Sequence, residues 1–481
     1  MKEWNGRKWS SWTALKGERE VSEVPEDNKI MTHIDTIFDL FCECRGKVTT
    51  DSRTIKGGEL FFALKGENFD GNAYAEQALE AGAAYAVVGE DAECLKRTSF
   101  YSMRLFPVRD TSVALRKLAL YYRRRLSIPF IGLTGTNGKT TTKELINAVL
   151  SAKYRTAATK GNFNNNIGVP LTVLSIPSDA EMAIVEMGAS HPGDIKELVE
   201  VCEPDFGLIT NVGRAHLLGF GYFEGVKKTK GELYDFLAGN RRDDDPDGVH
   251  YPNGRKIFLN LDNPDLVQMA SERGFEPGIS AVGYGLKAWG AQIMPSDAEH
   301  PFLRLRLSDG TAVETHLVGA YNADNVLAAL CIGEYFGVER SAAIAAIEAY
   351  VPSNNRSQMQ KTDRNVLIVD AYNANPSSMD AALTNFAGFE APEKIALLGD
   401  MLELGETSVE EHSRIVERIK ECGVRAYYVG EEFSKAGASP CFASSEELAE
   451  YISSHRQEFT GAAILVKGSR GTRMERTLGC L

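Results

Sequence analysis

A short glycine-containing stretch, GTNGKT at residues 135–140, has the residue types that bind phosphate groups. It follows the apolar run PFIGLTG and precedes a helical pattern, so it predicts a loop between a strand and a helix. Gly135 and Gly138 would let backbone N–H groups face phosphate oxygens, and the helix start adds a partial positive charge. Lys139 would then reach the β- and γ-phosphates, and the Thr140 hydroxyl would bind Mg²⁺. Leu stands where the strict Walker pattern has its first Gly, so this loop is a tighter variant.

Polar side chains end two further apolar runs in the same block. Glu186 ends the run in MAIVEMG, and Asn211 and His216 follow the run in FGLITNVGRAH. Short apolar runs separated by helical patterns indicate a parallel α/β sheet, and such sheets bind ligands beyond the carboxyl ends of their strands. Taken alone, Glu186 is an ordinary strand-end glutamate and His216 a structural histidine. Beside the glycine loop they predict one crevice, in which a carboxylate lies near Mg²⁺.

Two other blocks flank this central one, each with its own strand and helix patterns. The first has the strand-like runs GELFFAL and YAVVGE around a helix near residues 72–82, followed by the amphipathic helix SVALRKLALYYRRRL. The third begins near VGAYNADNVLAALCIG and has four strand-like stretches, NVLIVDAYN, KIALLGDM, AYYVGEE and AAILVKGS. Helical patterns near residues 377–388, 408–422 and 445–458 lie between those stretches. This alternation is typical of a second doubly wound unit.

These patterns predict three domains and one extension. We expect a disordered extension or a mis-assigned start over residues 1–30, a first domain over 31–108, a central domain over 109–318 and a C-terminal domain over 319–481. A chain of 481 residues has room for three or so domains of ~150 residues each. The charged stretch RRDDDPDG, around residues 243–247, predicts a solvated loop.

Composition excludes several classes of protein. The formal net charge of −13 and the pI near 5.3 argue against a general nucleic-acid or membrane surface. No apolar run approaches the ~20 residues of a membrane span, and the polar N-terminal residues lack the apolar core of a signal peptide. The eight cysteines are scattered without zinc-site spacing, which is typical of reduced thiols. We therefore expect a cytoplasmic protein with no nucleic-acid partner and no membrane insertion.

Several polar residues outside the loop allow more than one interpretation. Lys230 has the pattern of a helix-surface lysine, and composition does not distinguish it from the two lysines just before it. Asn322 and Asn325 lie at a helix start, where capping is the ordinary role. Arg356, in PSNNRSQ, is either a surface arginine or a group that neutralises a γ-phosphate. Asp370 ends a strand and could bind a metal, a ribose or a cationic partner.

Seven motifs occur together in the order and spacing of one family. They are GTNGKTT, GNFNNNIGVPLT, EMGAS, TNVGRAH, NADN, DAYNANPSSM and LLGDMLELGE. Over residues 31–481 the chain resembles the Mur ligases of peptidoglycan synthesis. The resemblance implies an α/β fold of three domains: a small N-terminal uridine-nucleotide domain, a central P-loop ATPase-type parallel sheet and a C-terminal Rossmann-like domain. The stretch TDSRTIKGGELFFALKGENFDG resembles that uridine-nucleotide domain.

The last two motifs resemble those of the family member that adds a dipeptide. The resemblance therefore implies an ATP-dependent ligase that joins D-alanyl-D-alanine to UDP-N-acetylmuramoyl-tripeptide through an acyl phosphate, releasing ADP and phosphate. We expect a monomer, because three domains can enclose the site by themselves. Whether the third residue of the tripeptide is diaminopimelate or lysine stays open.

Two alternative functions also stay open on the sequence. The first is another amino-acid-adding ligase of the family, or a ligase resembling folylpolyglutamate synthase. The second is a P-loop switch or regulatory nucleotide-binding protein without ligase chemistry. A GTPase of that kind should carry a base-recognition motif of Asn or Thr followed by Lys-x-Asp. The nearest stretch is QKTD at residues 360–363, which begins with Gln and lies in the third block.

The resemblance implies a metal centre and a set of catalytic residues. The positions that bind two magnesium ions are matched by Thr140, Glu186, His216 and Lys230. Lys230 matches a lysine that CO₂ carbamylates, which requires a neutral amine and hence a pKa below the usual ~10.4. The catalytic residues that the resemblance implies are Lys139, Lys230, His216 and Arg356.

The resemblance also implies substrate contacts. ATP contacts are implied for Gly135, Thr136, Asn137, Gly138, Lys139, Thr140, Thr141, Asn325, Arg356 and Asp370. The uridine-nucleotide site is matched by Ser52 and Arg53, and the stretch facing the muramyl substrate by Asn162 and Asn165. The chain departs from the family pattern at Tyr321, where His is frequent, and just before Arg356, where Gly is common.

Overall fold

A computed structural model describes residues 28–97, 100–215, 217–239, 255–295, 300–352 and 358–481. Four features of the sequence interpretation lie outside these residues: most of the N-terminal extension, the charged loop near residues 243–247, His216 and Arg356. Residues 28–30, which the sequence assigns to the extension, lie in the first helix. Among the described helices, none has the length and apolar character that crossing a bilayer requires.

The first unit is a four-stranded parallel sheet whose strands follow chain order. Its strands are β1 (Val48–Thr49), β2 (Leu60–Phe62), β3 (Tyr85–Gly89) and β4 (Leu105–Val108). Its helices are α1 (Asn28–Glu43) and α2 (Ala75–Glu80), and α3 (Thr111–Arg123) leads out of it. All three residues of β2 are buried, because α1 and α3 cover one face of the sheet and α2 covers the other.

The central unit is a six-stranded parallel sheet in the order β10-β9-β8-β5-β7-β6. Its strands are β5 (Phe130–Thr134), β6 (Thr156–Ala158), β7 (Met182–Glu186), β8 (Phe206–Ile209), β9 (Lys256–Asn260) and β10 (Ala281–Tyr284). Its helices are α4 (Lys139–Ser151), α5 (Gly168–Leu174), α6 (Asp194–Cys202), α7 (Leu217–Phe220), α8 (Phe223–Gly239) and α9 (Pro264–Ser271). Strand β5 lies between β7 and β8, so the loop after β5 lies between the polar ends of its two neighbours. This arrangement confirms the parallel α/β sheet that the sequence predicts.

A small antiparallel sheet and two helices complete this unit. The strands are β11 (Gln292–Met294), β12 (Arg304–Arg306) and β13 (Ala312–Glu314), and the helices are α10 (Ala323–Tyr335) and α11 (Arg340–Ala349). Leu327 of α10 and Ile347 of α11 share one buried apolar cluster with Leu145 and Val149 of α4 and Ile131 of β5. The packing therefore favours a start of the third domain after α11, later than residue 319, and this boundary stays a proposal.

The third unit has a six-stranded sheet in the order β14-β15-β19-β16-β17-β18, parallel except for its first strand. Its strands are β14 (Gln358–Lys361), β15 (Val366–Asp370), β16 (Lys394–Gly399), β17 (Arg425–Val429), β18 (Cys441–Phe442) and β19 (Ala463–Lys467). Its helices are α12 (Pro376–Ala387), α13 (Ser408–Cys422), α14 (Glu431–Lys435) and α15 (Ser445–Ser454). The four strands and three helices that the sequence predicts are all present, which confirms a doubly wound, Rossmann-like unit.

A buried arginine fastens α3 to the central sheet. The Arg123 guanidinium donates to the carbonyl oxygens of Cys202 and Glu203, both at 2.8 Å, and to Asp205 Oδ2 at 2.9 Å. The same Asp205 oxygen accepts from the backbone N–H of Phe130 at 2.9 Å, at the start of β5. Arg123 therefore holds both the helix that links the first two units and the strand that carries the glycine loop.

We expect Arg123→Met to lower the free energy of unfolding by about 3–5 kcal/mol, because it leaves the Asp205 carboxylate buried without its cation. The matched control is Arg340→Met, because this side chain and its partner Asp309 are 49% and 48% exposed. An exposed pair contributes only about 0–1 kcal/mol. Urea unfolding of the two variants measures the difference, and equal losses would contradict the role given to Arg123.

Candidate active site

A cavity of about 850 Å³ lies between the central and C-terminal units. The central unit contributes the glycine loop, residues 162–166, the end of β7 and the start of α6. The other wall comes from the ends of β15 and β19 and from the start of α12. The carboxyl ends of two parallel sheets therefore face each other across one space, which is where such sheets bind ligands.

The glycine loop has the backbone that its two glycines permit. Gly135 has φ +148° and Gly138 has φ +78°. A Cβ atom at position 135 would lie 2.0 Å from Thr210 Oγ1, and one at 138 would lie 2.8 Å from Asn325 Oδ1. The Lys139 ammonium donates to the carbonyl oxygens of Gly135 at 2.7 Å and Thr136 at 3.1 Å. Thr210 and Asn325 therefore pack closely against the two glycines of the loop, and the Lys139 ammonium lies at the start of α4.

Asparagine side chains hold this loop from both units. The backbone N–H of Asn137 donates to Asn211 Oδ1 at 3.0 Å, and Thr210 Oγ1 donates to the Asn137 carbonyl at 2.7 Å. From the C-terminal unit, Asn375 Nδ2 donates to Asn137 Oδ1 at 2.8 Å. The C-terminal unit therefore contacts the loop directly. Asn375 lies in the motif DAYNANPSSM, whose sequence does not by itself indicate this contact.

Asn325 supports the loop and does not cap α10. Thr142 Oγ1 donates to Asn325 Oδ1 at 2.9 Å, and Asn325 Nδ2 donates to Asn322 Oδ1 at 2.9 Å. Asn322, the residue just before the first residue of α10, makes no side-chain capping hydrogen bond. The capping interpretation is therefore wrong for Asn322. Because Asn325 lies directly behind Gly138, it limits how far the loop can move.

We expect Gly138→Ala to weaken ATP binding by about tenfold or more, because the new methyl group meets Asn325 and displaces the loop. Gly193→Ala is the matched control, since Gly193 also precedes a helix, with φ +90°, but has no atom within 4 Å of its would-be Cβ. Both variants should lose ~1 kcal/mol of stability through backbone strain. Isothermal titration with ATP measures the affinities, and normal binding by Gly138→Ala would show that the loop tolerates displacement.

Glu186 presents an unsatisfied oxygen at the end of β7. Its Oε1 accepts from Thr140 Oγ1 at 3.1 Å and from Asn164 Nδ2 at 2.8 Å. Its Oε2 is buried and has no hydrogen-bond partner among the described residues, with Lys143 Nζ at 4.0 Å. Magnesium prefers oxygen ligands, so this oxygen beside the Thr140 hydroxyl fits the metal that the sequence predicts. In the described ranges no cluster of three or more His, Cys, Asp and Glu side chains could hold a metal, and His216 falls outside them.

Lys230 is buried, which its sequence pattern did not indicate. Only 2% of the residue is exposed, and its ammonium lies 5.6 Å from the centre of the Phe220 ring. Burial, and then the nearby charge of Lys139, lower the pKa of Lys230 well below its usual value, against weaker opposing effects of Asp194 and Glu232. This direction of shift favours the neutral amine that carbamylation requires.

The end of β15 carries an ion pair that faces the cavity. Lys467 Nζ lies 2.5 Å from Asp370 Oδ2 and donates to the Asn373 carbonyl at 3.2 Å. Lys467 is 1% exposed and lies at the end of β19, the strand beside β15. The sequence left three roles open for Asp370: binding a metal, a ribose or a cationic partner. In the structure its carboxylate has a cationic partner, Lys467. Sequence reasoning missed Lys467, although a lysine at the end of an apolar strand was a usable signal.

The predicted substrate contacts fall into two places. Asn162 and Asn165 both line the cavity, and Asn165 Oδ1 also accepts from the backbone N–H of Gly168 at 2.8 Å. Ser52 and Arg53 lie in a 3-10 turn of the first unit, Ser52–Thr54, and are not among the residues that line the cavity. The Arg53 side chain is 86% exposed and pairs with Asp51 at 2.8 Å.

A glycine loop at the centre of one parallel sheet, facing a second doubly wound unit, defines a nucleotide-dependent enzyme that works between two domains. Three family models match the chain: "Mur ligase family, catalytic domain" at residues 47–131, "Mur ligase middle domain" at 133–333 and "Mur ligase, glutamate ligase domain" at 355–470. The chain belongs to the Mur ligase family, as its motifs predicted.

Named relatives and solved structures agree with this assignment. The UDP-N-acetylmuramoyl-tripeptide–D-alanyl-D-alanine ligase of Bacillus subtilis is 33% identical over 89% of this chain and 91% of its own length. The ligase of the same name from Escherichia coli is 32% identical, over 90% and 93%. MurF from Acinetobacter baumannii superposes with a TM-score of 0.77, at 27% identity over 90% and 92% of the two chains. MurF ligase from Thermotoga maritima, in complex with ADP, has a TM-score of 0.74 at 26% identity, over 90% and 96%.

Proposed function

We propose that this ligase joins D-alanyl-D-alanine to UDP-N-acetylmuramoyl-tripeptide, using ATP and releasing ADP and phosphate. The product is the UDP-MurNAc-pentapeptide precursor of peptidoglycan. The relatives that match about nine-tenths of the chain carry the name of this reaction. The observation that carries the proposal is the single cavity that joins the glycine loop, the unsatisfied Glu186 oxygen and the C-terminal unit.

A carboxylate does not condense with an amine in neutral water, so the reaction must first activate the carboxylate with ATP. Transfer of the γ-phosphoryl group from ATP to the tripeptide carboxylate forms an acyl phosphate, with a good leaving group. The amine of the dipeptide attacks the carbonyl carbon, the C–N bond forms, and the C–O bond to phosphate breaks. Two anions must meet in the first step, so catalysis rests on charge neutralisation and positioning. We assign that neutralisation to Lys139 and Arg356.

The metal site fits a hard cation. Mg²⁺, as two ions, would be held by Thr140, Glu186, His216 and the carbamate of Lys230, and when bound it would neutralise phosphate charge. The remaining assignments are ATP contacts at Asn325 and Asp370, uridine-nucleotide contacts at Ser52 and Arg53, and muramyl contacts at Asn162 and Asn165. Burial of Lys230 and the orphaned Glu186 oxygen support the metal-binding half of these assignments.

The C-terminal unit closes the site on the nucleotide. Besides the Asn375 contact, Arg214 Nη1 pairs with Glu411 Oε1 at 3.0 Å, and the Arg214 backbone N–H donates to Ser377 Oγ at 3.0 Å. The Leu218 backbone N–H donates to the Glu403 carbonyl at 3.2 Å. These few polar contacts can open and re-form, so we expect domain motion during turnover. We also propose that the enzyme acts as a cytoplasmic monomer, since its own units enclose the cavity.

Product mass tests the proposed reaction. The enzyme is incubated with UDP-muramyl-tripeptide, ATP and Mg²⁺, and with D-alanyl-D-alanine, a diamino acid or glutamate as the amine. We expect a product that carries both alanines, and phosphate release that depends on the dipeptide. Release stimulated only by the diamino acid or by glutamate would favour another Mur ligase or a folylpolyglutamate-type ligase. Tripeptides ending in diaminopimelate and in lysine, run in parallel, identify the acceptor.

A further inference from the structure

Asn164 connects the loop at residues 162–166 to the end of β7. Its side-chain Nδ2 donates to Glu186 Oε1 at 2.8 Å, and its backbone carbonyl accepts from the Gly188 N–H at 2.7 Å. A Cβ atom at position 188 would lie 2.9 Å from Asn164 Oδ1, so the glycine there lets the loop approach the strand end this closely. Asn164 and Glu186 both line the cavity between the units. The loop therefore contacts the carboxylate to which we assign metal binding.

The two oxygens of the Glu186 carboxylate have different surroundings. Oε1 accepts from Asn164 and also from the Thr140 hydroxyl, at 3.1 Å. Oε2 is buried, and within the part of the chain that the structure describes it accepts no hydrogen bond. A hard cation binds carboxylate oxygens, and the oxygen with free lone pairs is the one available to it. The orientation of this carboxylate therefore decides which oxygen a metal ion meets.

Lys143 lies near Oε2 but does not use its lone pairs. The Lys143 side chain is fully buried, and its ammonium lies 4.0 Å from Glu186 Oε2, which is beyond hydrogen-bond distance. The ammonium donates to the Thr159 carbonyl at 2.6 Å, and Thr159 Oγ1 accepts from the Glu186 backbone N–H at 3.0 Å. Lys143 thus supplies a counter-charge, and Thr159 holds the backbone of Glu186. Rotation of the carboxylate itself is limited by the donors to Oε1.

We propose that Asn164 is a positioning residue for the metal site: by holding Glu186 Oε1, it presents Oε2 to Mg²⁺. This inference rests on the metal-binding part of the proposed function. Thr140 also contacts Oε1, but Thr140 is itself assigned to the metal, whereas Asn164 acts only through Glu186. Removing a hydrogen bond of this kind from a metal-binding carboxylate typically weakens metal binding or activity by about 10- to 100-fold. Because Asn164 belongs to the loop assigned to muramyl contacts, it also links that loop to the metal.

The experiment measures Mn²⁺ binding as a probe for Mg²⁺, without turnover. The full chain is incubated with bicarbonate and a non-hydrolysable ATP analogue, kept below the enzyme concentration so that little analogue is free, and Mn²⁺ is added by isothermal titration. We expect Asn164→Ala to weaken Mn²⁺ binding by about tenfold or more, and to leave binding of the metal-free analogue within about twofold of wild type. Asn164→Leu fills a similar volume without a donor, so it should lose as much affinity as Asn164→Ala.

The matched control is Thr172→Val, which removes a different hydrogen bond to the same loop. Thr172 Oγ1 donates to the Phe163 carbonyl at 3.3 Å. This variant should bind Mn²⁺ within about twofold of wild type, and thermal unfolding checks that every variant is folded. A loss in Thr172→Val equal to that in Asn164→Ala would show that the loop as a whole sets the metal affinity, and would overturn the role given to the Asn164 amide.

Two further outcomes separate this inference from the proposed function. Wild-type Mn²⁺ affinity in Asn164→Ala or in Asn164→Leu would overturn the positioning role, while the ligase reaction, measured independently by product mass, would stand. A wild-type complex that binds Mn²⁺ no more tightly than the free analogue does would instead remove the metal-binding part of the proposed function, and this inference with it.

Discussion

Lys139→Ala will lose dipeptide-dependent phosphate release by about 10²- to 10³-fold or more while the protein stays folded. In the structure Lys139 lies at the start of α4, and its ammonium donates hydrogen bonds to two carbonyl oxygens of the glycine loop. There it can neutralise phosphate charge during transfer to the tripeptide carboxylate. Its removal deletes no apolar packing, so the free energy of unfolding should change by less than ~1 kcal/mol.

Two measurements separate this effect from damage to the fold. Phosphate release reports the chemistry, and urea unfolding reports stability. Lys196→Ala is the matched control, because Lys196 is an exposed lysine on α6 that does not line the cavity. Near-normal dipeptide-dependent phosphate release by Lys139→Ala would refute its assignment to the phosphates.

Lys230→Ala will also inactivate the enzyme, and small carboxylates will partly restore activity. The side chain is buried beside Lys139, and burial lowers the pKa of its amine, which favours the neutral form. A neutral amine in such a site can react with CO₂, and the resulting carbamate supplies oxygen atoms that alanine lacks. Added formate or acetate can occupy the space that the deleted side chain leaves and supply equivalent oxygens.

The control lies on the same helix. Lys228 is exposed, so Lys228→Ala should keep full activity and show no response to carboxylates. Removal of dissolved CO₂ should slow the wild-type enzyme, and bicarbonate should restore it. With ¹³C-bicarbonate, a carbamate carbon signal should appear in wild type and be absent in Lys230→Ala. Full activity of Lys230→Ala without any added carboxylate would count against the modification.

The sequence predicts the position of a residue correctly where the local hydrophobic pattern and the sheet topology lead to the same placement. Parallel strands end at one edge of a sheet, so the order of the apolar runs alone places the glycine loop and Glu186 together. The three-residue strands of the small antiparallel sheet, beginning at Gln292, are too short for a periodic signal. Burial of Lys230 was also hidden, because three lysines within four positions of α8 share one local pattern.

Contacts between units were the least predictable part, since they join residues far apart in the chain. Asn375 shows why. Its side-chain oxygen accepts from the Ser378 backbone N–H at 2.8 Å, an ordinary helix cap that a sequence can suggest. Its side-chain nitrogen donates to Asn137, 238 positions away, and so links the two units at the glycine loop. The Asn375 amide therefore both caps α12 and contacts the glycine loop. Only the capping role can be recognised from the neighbouring sequence.

The most direct test of the central claim follows oxygen from the tripeptide carboxylate. UDP-muramyl-tripeptide labelled with ¹⁸O in its terminal carboxyl group is incubated with enzyme, ATP, Mg²⁺ and D-alanyl-D-alanine, and the released phosphate is analysed by mass. We predict one labelled oxygen per phosphate, because the oxygen that bridges carbon and phosphorus comes from the substrate acid and leaves with phosphate. Unlabelled phosphate alongside normal formation of the amide would contradict activation of that acid by phosphoryl transfer.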